Sequence, residues 1–291
     1  DPLDRRLAAA RPDLADARLG GRVEAERFVE GAPHRVRAAS APLRREPSPD
    51  APLDTELLAG EPVDVFETDG EGWAWLQSEA DGYVGYAPAD ALVARAAAPE
   101  PTHRVVVPAT LLFPEPDIKT PPLGTLSMGA SVAVVGEMPG RDGRTFLRLA
   151  DQSLVVERHV RGLDAAAMPD WVALAASLSG TPYLWGGKTR AGIDCSGLVQ
   201  LAMQTAGLEA PRDTDMQEAA IGEAIAVDPE RPAGLARGDL LFWPGHVGVM
   251  VDEARLLHAN AHHMLTALEP LDTVLARHAE AGLSLGTVRR P

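Results

Sequence analysis

Apolar residues change their spacing twice along the 291-residue chain. Leu3, Leu7, Arg11 and Leu14 fall about four apart, which predicts a short N-terminal helical segment over residues 1–40. From Ala41 the pattern turns to short Val, Leu and Trp runs broken by Pro, Gly and Asp, as strands and tight turns require. From Asp164 it changes again. Residues 170–178 read as a short helix stopped by Gly180 and Pro182. A second helix starts near Cys195, with Leu198, Leu201, Ala202 and Leu208 near one face and Gly207 near its end. Strands over 239–243, 246–251 and 255–260 follow the Pro/Gly-rich stretch around Pro232 and Gly234. Helices first and strands after predict an α+β domain over 164–291.

The β region occurs twice. Glu46, Pro47, Gly60, Val63 and Val65 recur as Glu115, Pro116, Gly129, Val132 and Val134, all at an offset of 69. A repeat that keeps its register predicts two copies of one small SH3-like barrel, over 41–98 and 102–163, joined by the linker 96–101. The copies differ at telling places. Glu61 becomes Ala130, and aligning Asp81 with Asp151 turns Tyr83 and Tyr86 into Ser153 and Val156. Core residues should persist in both copies, whereas residues of a site need not. Glu61 and Tyr83 are therefore candidates for a binding role, with a solvated surface acid the competing reading of Glu61. Trp73 and Trp75, one apart, read as a mixture of core and rim.

Charge narrows the function. With 27 basic against 42 acidic residues the net charge is −15, which repels phosphate backbones and anionic lipid. Nucleic acid and membrane are not expected partners. No apolar run is long enough to span a bilayer. The charged residues of the first turns interrupt any signal-peptide core, although the chain begins at Asp1 without Met. The single cysteine, Cys195, excludes an internal disulfide framework and a multi-cysteine zinc site. It fits a reducing compartment, and a cytoplasmic location is expected, with a periplasmic or secreted one if a signal was removed before Asp1.

Cys195 sits where a loop becomes a helix, so the macrodipole is expected to lower its pKa and favour thiolate. The competing reading is a buried small hydrophobe. A nucleophilic cysteine needs a base, and the base needs an orienting partner. If the chain after His246 turns back through 252–254, paired positions sum to 506. His258 then lies opposite Gly248, and His246 and His258 become diagonal neighbours on one face. His262 and His263 read as solvated loop residues.

Five segments in order, Tyr183-Leu184-Trp185-Gly186-Gly187, Asp194-Cys195-Ser196-Gly197, Arg237-Gly238-Asp239-Leu240, His246-Val247-Gly248 and Leu257-His258-Ala259, resemble the successive motifs of NlpC/p60 cysteine peptidases. These are papain-like enzymes that cleave bacterial cell-wall peptides. With two SH3-like copies upstream, the chain is similar to the γ-D-glutamyl-L-diamino acid dipeptidyl peptidases of murein peptide recycling. That subgroup's extra motif matches Arg212-Asp213-Thr214 followed by Gln217, with Thr214 where Ser is usual. The resemblance implies Cys195 as nucleophile, His246 as general base and His258 as the residue that orients it. It implies Tyr183 and the Cys195 N–H at the oxyanion, with plain packing the competing reading of Tyr183. Asp194, Ser196, Asp213 and Thr214 would line the pocket, where acidic and hydroxyl groups hold the substrate's α-ammonium. Glu61 and Tyr83 would close its amine end.

The expected activity is hydrolysis of the bond after γ-linked D-Glu in small murein peptides with a free N-terminal L-Ala, releasing L-Ala-γ-D-Glu. No metal or organic cofactor is implied, since thiolate and imidazole suffice. The rivals are a secreted endopeptidase with the barrels as wall anchors, a catalytically silent wall-binding module, and an acyltransferase or amidase on the same scaffold. The intact Cys195, His246 and His258 set argues against silence.

Overall fold

Alternation of buried and exposed positions drives the first half into two small barrels. The computed structural model describes residues 3–140, 143–166, 168 and 170–291. They divide into two compact units, Asp1–Ala165 and Ala166–Pro291.

In the first unit, one seven-stranded sheet forms the first barrel, in the order Leu53–Leu58, Ser40–Arg44, Val84–Pro88, Trp73–Ser78, Pro62–Thr68, Ala32–Val36 and Leu92–Ala94. Val36, Leu43, Leu57, Val63, Leu76 and Leu92 fill its interior. Each contributes roughly 1.5–3 kcal/mol by leaving water. The barrel thus begins at Ala32, ahead of the expected start at 41.

The expected N-terminal helix does not form. Among the described residues before Ala32 the helical structure is one 3-10 turn, Ala17–Leu19. Pro12 interrupts the periodic run, and a prolyl ring removes a helical N–H and crowds the preceding turn. The apolar residues are used singly instead. Leu14 packs against Phe66 and Trp75, while Leu7 stays exposed. The Arg11 guanidinium lies 4.5 Å above the Trp75 ring.

The second barrel is built from short pairings between His103–Val105 and Val160–Gly162, around a core of Val105, Leu126, Val132, Leu147, Leu149 and Val155. Its backbone repeats the first at the offset of 69. Gly60 N–H donates to Val36 O at 2.8 Å, and Gly129 N–H donates to Val105 O at 3.0 Å. Both glycines have left-handed φ, +81° and +84°, the conformation in which glycine has no steric penalty. The alignment of Asp81 with Asp151 also has a structural counterpart, since each Oδ1 accepts the N–H two residues on, at Tyr83 and Ser153.

In the second unit helix α1 is Trp171–Ser177, capped by Asp170. Helix α2 is Cys195–Ala206, ending at Gly207, with Leu208 exposed beyond it. Nearly every residue of α2 is buried, which suits a helix that packs on several elements. Helix α3 is Thr214–Ala220. Then come β1 Glu223–Ile225, β2 Leu240–Trp243, β3 His246–Met250, β4 Arg255–Asn260, β5 Leu265–Pro270, α4 Leu271–Glu280 and β6 Val288–Arg290. One antiparallel sheet joins the strands in the order β1-β6-β2-β3-β4-β5. The three strands read from the sequence are β2, β3 and β4, at its centre. Leu241, Trp243, Met250, Leu256, Val274 and Val288 form a core on one of its faces. Among the described residues, no helix is long and apolar enough to cross a membrane.

Candidate active site

Cys195 is the first residue of α2, and the preceding loop is held by Asp194. One carboxylate oxygen caps the helix by accepting from Gly197 N–H at 2.7 Å, and the other accepts from Gly186 N–H at 2.8 Å. Gly197 is required by packing, because a Cβ there would lie 2.4 Å from Gly187 O. Arg212, fully buried, grips both Asp194 oxygens at 3.0 and 2.7 Å and donates to Ser196 Oγ at 2.8 Å. Gln217 donates to Ser196 O and Pro211 O, each at 2.9 Å. Asp194 and Ser196 are thus engaged by Arg212, where substrate contact was expected of them. Their observed work is to hold the turn that presents the thiol.

Asp213 occupies the N-cap position of α3, and its charge acts on Arg212. The next residue, Thr214, places Oγ1 3.9 Å from Cys195 Sγ. Burial, with the Asp194 charge adding to it, pushes the Cys195 thiol up to about 11, against the opposing pull of Val247 N–H, Thr214 and Arg212. The expected thiolate is therefore not the resting form. The helix end does not overcome desolvation at a residue that is only 7% exposed.

The Val247 N–H directed at Sγ brings the start of β3 to the Cys195 thiol. The β3–β4 register pairs Val249 with Leu257 and Met250 with Leu256, the register with sum 506. His246 and His258 accordingly share a face, and His246 Nε2 lies 2.8 Å from His258 Nδ1. Burial, then His258, His278 and Arg277, push His246 down to about 3, so its imidazole rests neutral. Tyr183 is half-buried, and burial, then Cys195 and Asp194, push its phenol up to about 12. Its hydroxyl keeps the proton and can donate it.

The run continues past the residues read from sequence. In the β4–β5 register Leu256 pairs with Glu269, so Glu269 is a diagonal neighbour of His258. His258 Nε2 lies 2.7 Å from Glu269 Oε2. Both Arg277 terminal nitrogens donate to Glu269 at 2.8 Å, and His263 Nε2 lies 3.0 Å from it. His263 is an exposed turn residue, as read, and through Glu269 it is also tied to the site. His278 of α4 sets its ring 5.7 Å from that of His246 and 4.6 Å from Trp243. A signal for Glu269 existed in the charged residue inside the run 265–270, but β5 exposes Leu265 and Leu268 and buries Thr266 and Glu269. Hydropathy reads that strand backwards.

Glu61 and Tyr83 have work within the first unit. Glu61 Oε2 accepts from Leu58 N–H at 3.0 Å across its own turn, and Tyr83 is buried in the first barrel's core. Among the described residues, no group of three or more His, Cys, Asp or Glu could hold a metal ion.

Comparison with known proteins fits this arrangement. A family model described as the NlpC/P60 family matches residues 180–279, and one described as the bacterial dipeptidyl-peptidase Sh3 domain matches residues 43–92. The chain is 29% identical over 240 residues to a dipeptidyl-peptidase 6 of Lysinibacillus sphaericus, covering 77% of this chain and 86% of that protein. It is 24% identical over 250 residues to a γ-D-glutamyl-L-lysine dipeptidyl-peptidase of Bacillus cereus, covering 76% and 71%. The crystal structure of an NlpC/P60 family protein from Bacillus cereus superposes with a TM-score of 0.69 at 19% identity, over 89% of this chain and 99% of that one, and so shares its fold.

Proposed function

The chain belongs to the NlpC/P60 family, and on that premise we propose that it is a cysteine peptidase hydrolysing the γ-D-glutamyl–diamino acid bond of small murein peptides whose N-terminal L-Ala is free. The observation that carries the chemistry is the 2.8 Å contact between His246 Nε2 and His258 Nδ1, on the strand whose Val247 N–H meets Cys195 Sγ. Thiol and imidazole both rest neutral, so the proton moves during attack. Cys195 Sγ adds to the amide carbonyl carbon as its proton passes to His246. The oxyanion takes hydrogen bonds from the Cys195 N–H, unpaired within its helix, and from the Tyr183 hydroxyl. The C–N bond then breaks and His246 returns the proton to the leaving amine. Water, deprotonated by His246, hydrolyses the thioester and frees Cys195.

Support for the substrate comes from the names of the two relatives, both dipeptidyl-peptidases, and from Thr214, 3.9 Å from Cys195 Sγ, with Asp213 next to it in the chain. A carboxylate and a hydroxyl suit the ammonium of a peptide that ends two residues before the scissile bond. Peptides of this kind are released from the wall, so the proposed setting is recycling in the cytoplasm. The test is mass spectrometry of L-Ala-γ-D-Glu-diaminopimelate, free and N-acetylated, incubated with the enzyme and with Cys195→Ala. Acetylation removes the charge that pairs with the carboxylate once substrate covers it. Losing one side of such a pair typically costs about 2–5 kcal/mol, so the acetylated peptide is expected to react at least roughly 30-fold more slowly. Equal rates would remove both the amine pocket and the recycling role and favour an enzyme of intact wall. Wild-type turnover by Cys195→Ala would end the peptidase reading.

A further inference from the structure

His258 stands between two partners that impose different demands on it. Toward β3 its Nδ1 meets His246 Nε2, and toward β5 its Nε2 meets Glu269 Oε2. Glu269 is held by Arg277 in a two-point contact, and that guanidinium, more than any other group, keeps its carboxyl well below the usual carboxylate range. An ionised carboxylate only accepts hydrogen bonds. The hydrogen between them therefore belongs to His258 Nε2. Burial holds His258 below the ordinary imidazole value, so the ring is neutral and its lone pair is on Nδ1. His246 Nε2 must then donate into that lone pair. Neutral His246 is left with its own lone pair on Nδ1, the ring nitrogen not engaged by His258.

We propose that Glu269, clamped by Arg277, is a positioning residue that fixes the tautomers of His258 and His246 in series and leaves Nδ1 of His246 as the basic atom for the Cys195 thiol. The inference rests on the peptidase reading for the role of that base. The same chain of bonds serves the charged stage. When His246 takes the thiol proton, its positive charge lies one imidazole away from a fixed carboxylate, a role His258 alone cannot fill.

The arrangement also has a defined way to fail. Protonated His258 donates from both nitrogens, so its Nδ1–H would turn on His246 Nε2 and force the His246 hydrogen to Nδ1. The base is then gone. Around the pair, Arg277 and His278 from α4 oppose that protonation and Glu269 from β5 favours it. His263 on the turn after β4 and Cys195 at the start of α2 complete the titratable groups there.

Nitrogen-15 NMR of the 291-residue chain with labelled histidine reads the tautomers directly. Signals are assigned by their loss in His246→Asn and His258→Asn. Near neutral pH, wild type is expected to carry hydrogen on Nε2 of both rings. A His258 ring protonated at Nδ1 and bare at Nε2 would overturn the proposal. This measurement uses no substrate, so it stands apart from any failure to cleave murein peptides. Glu269→Gln is expected to weaken the His258 preference and to lower kcat on the order of 10- to 100-fold, as loss of an outer partner of an oriented imidazole does. KM should stay within about twofold and the acid limb of kcat should move to lower pH, with Glu269→Asp recovering part of the rate. Unchanged kcat and acid limb in a folded Glu269→Gln would also overturn it, and the wild-type spectrum decides if that variant does not fold.

Discussion

At the scale of single residues the site is built from side chains that serve other side chains. Arg212 is 1% exposed, and Asp194 has all its bonding within the protein, so the pair is a buried ion pair whose second task is to cap α2. Breaking such a pair from one side leaves a charge without water or partner and typically costs about 3–5 kcal/mol. Arg212→Met is therefore expected to lower the unfolding free energy measured in urea by that order. Arg212→Met/Asp194→Asn should lose less than the sum of the two single changes, because the second removes the stranded charge. Strict additivity would mean that the two do not act as a pair. The sequence places Arg212 beside Asp213 and Thr214 but gives no sign of a partner at Asp194, since contacts between a loop and a helix start have no period to read. Cys195 and both histidines were legible for the opposite reason. A lone cysteine at a helix start and two histidines at a fixed sum are local facts.

At the scale of elements, three neighbouring strands carry His246, His258 and Glu269 as successive diagonal steps on one face. The first step followed from hairpin register alone. The second did not, because β5 exposes its leucines and its pairing to β4 passes through a turn with His262 and His263 that gives no count. The diagonal also sets how the second unit responds to pH. His246 and His258 titrate below the ordinary 6.5 when folded, so below that pH the unfolded chain binds more protons and stability falls, down to about 3 for His246. Glu269, held below its ordinary 4.5, acts in the same direction over the lower part of that range. On the alkaline side Cys195 and Tyr183 are raised to about 11 and about 12, so stability is full below their ordinary values of 9 and 10 and falls above them. A plateau from about pH 6.5 to 9 is expected, with His246→Asn flattening the acid slope. A tenfold change in proton affinity between the folded and unfolded chain is worth about 1.4 kcal/mol, so the flattening amounts to a few kcal/mol. Thermal midpoints across pH 3–10 for both proteins measure it, and equal acid slopes would show that His246 is not buried as a neutral base.

At the scale of the whole chain, the repeat was the strongest signal that the first unit contains two barrels, and it survives as hydrogen bonds and as left-handed glycines at the same offset. The N-terminal segment was not legible in the same way, because a helical spacing of three leucines says nothing of what each one packs on. Nor did the sequence reveal that the turns of the two copies meet. Ser131 N–H donates to Ala59 O at 2.7 Å, and a Cβ on Gly60 would lie 2.3 Å from Ser131 O. Gly72 offers the matched control. Its φ of +91° is also left-handed, but a Cβ there meets nothing within 4 Å. Alanine at either site carries the left-handed penalty of about 1–2 kcal/mol. Only at Gly60 must the backbone of the other barrel also give way, and backbone yields less readily than a flexible side chain. Gly72→Ala should therefore cost about that penalty, and Gly60→Ala clearly more, in urea unfolding of the full chain. The excess should shrink when Ser131→Gly loosens the facing turn. If Gly60→Ala and Gly72→Ala lose the same stability, the contact between the two copies carries none of it, and each barrel stands on its own core.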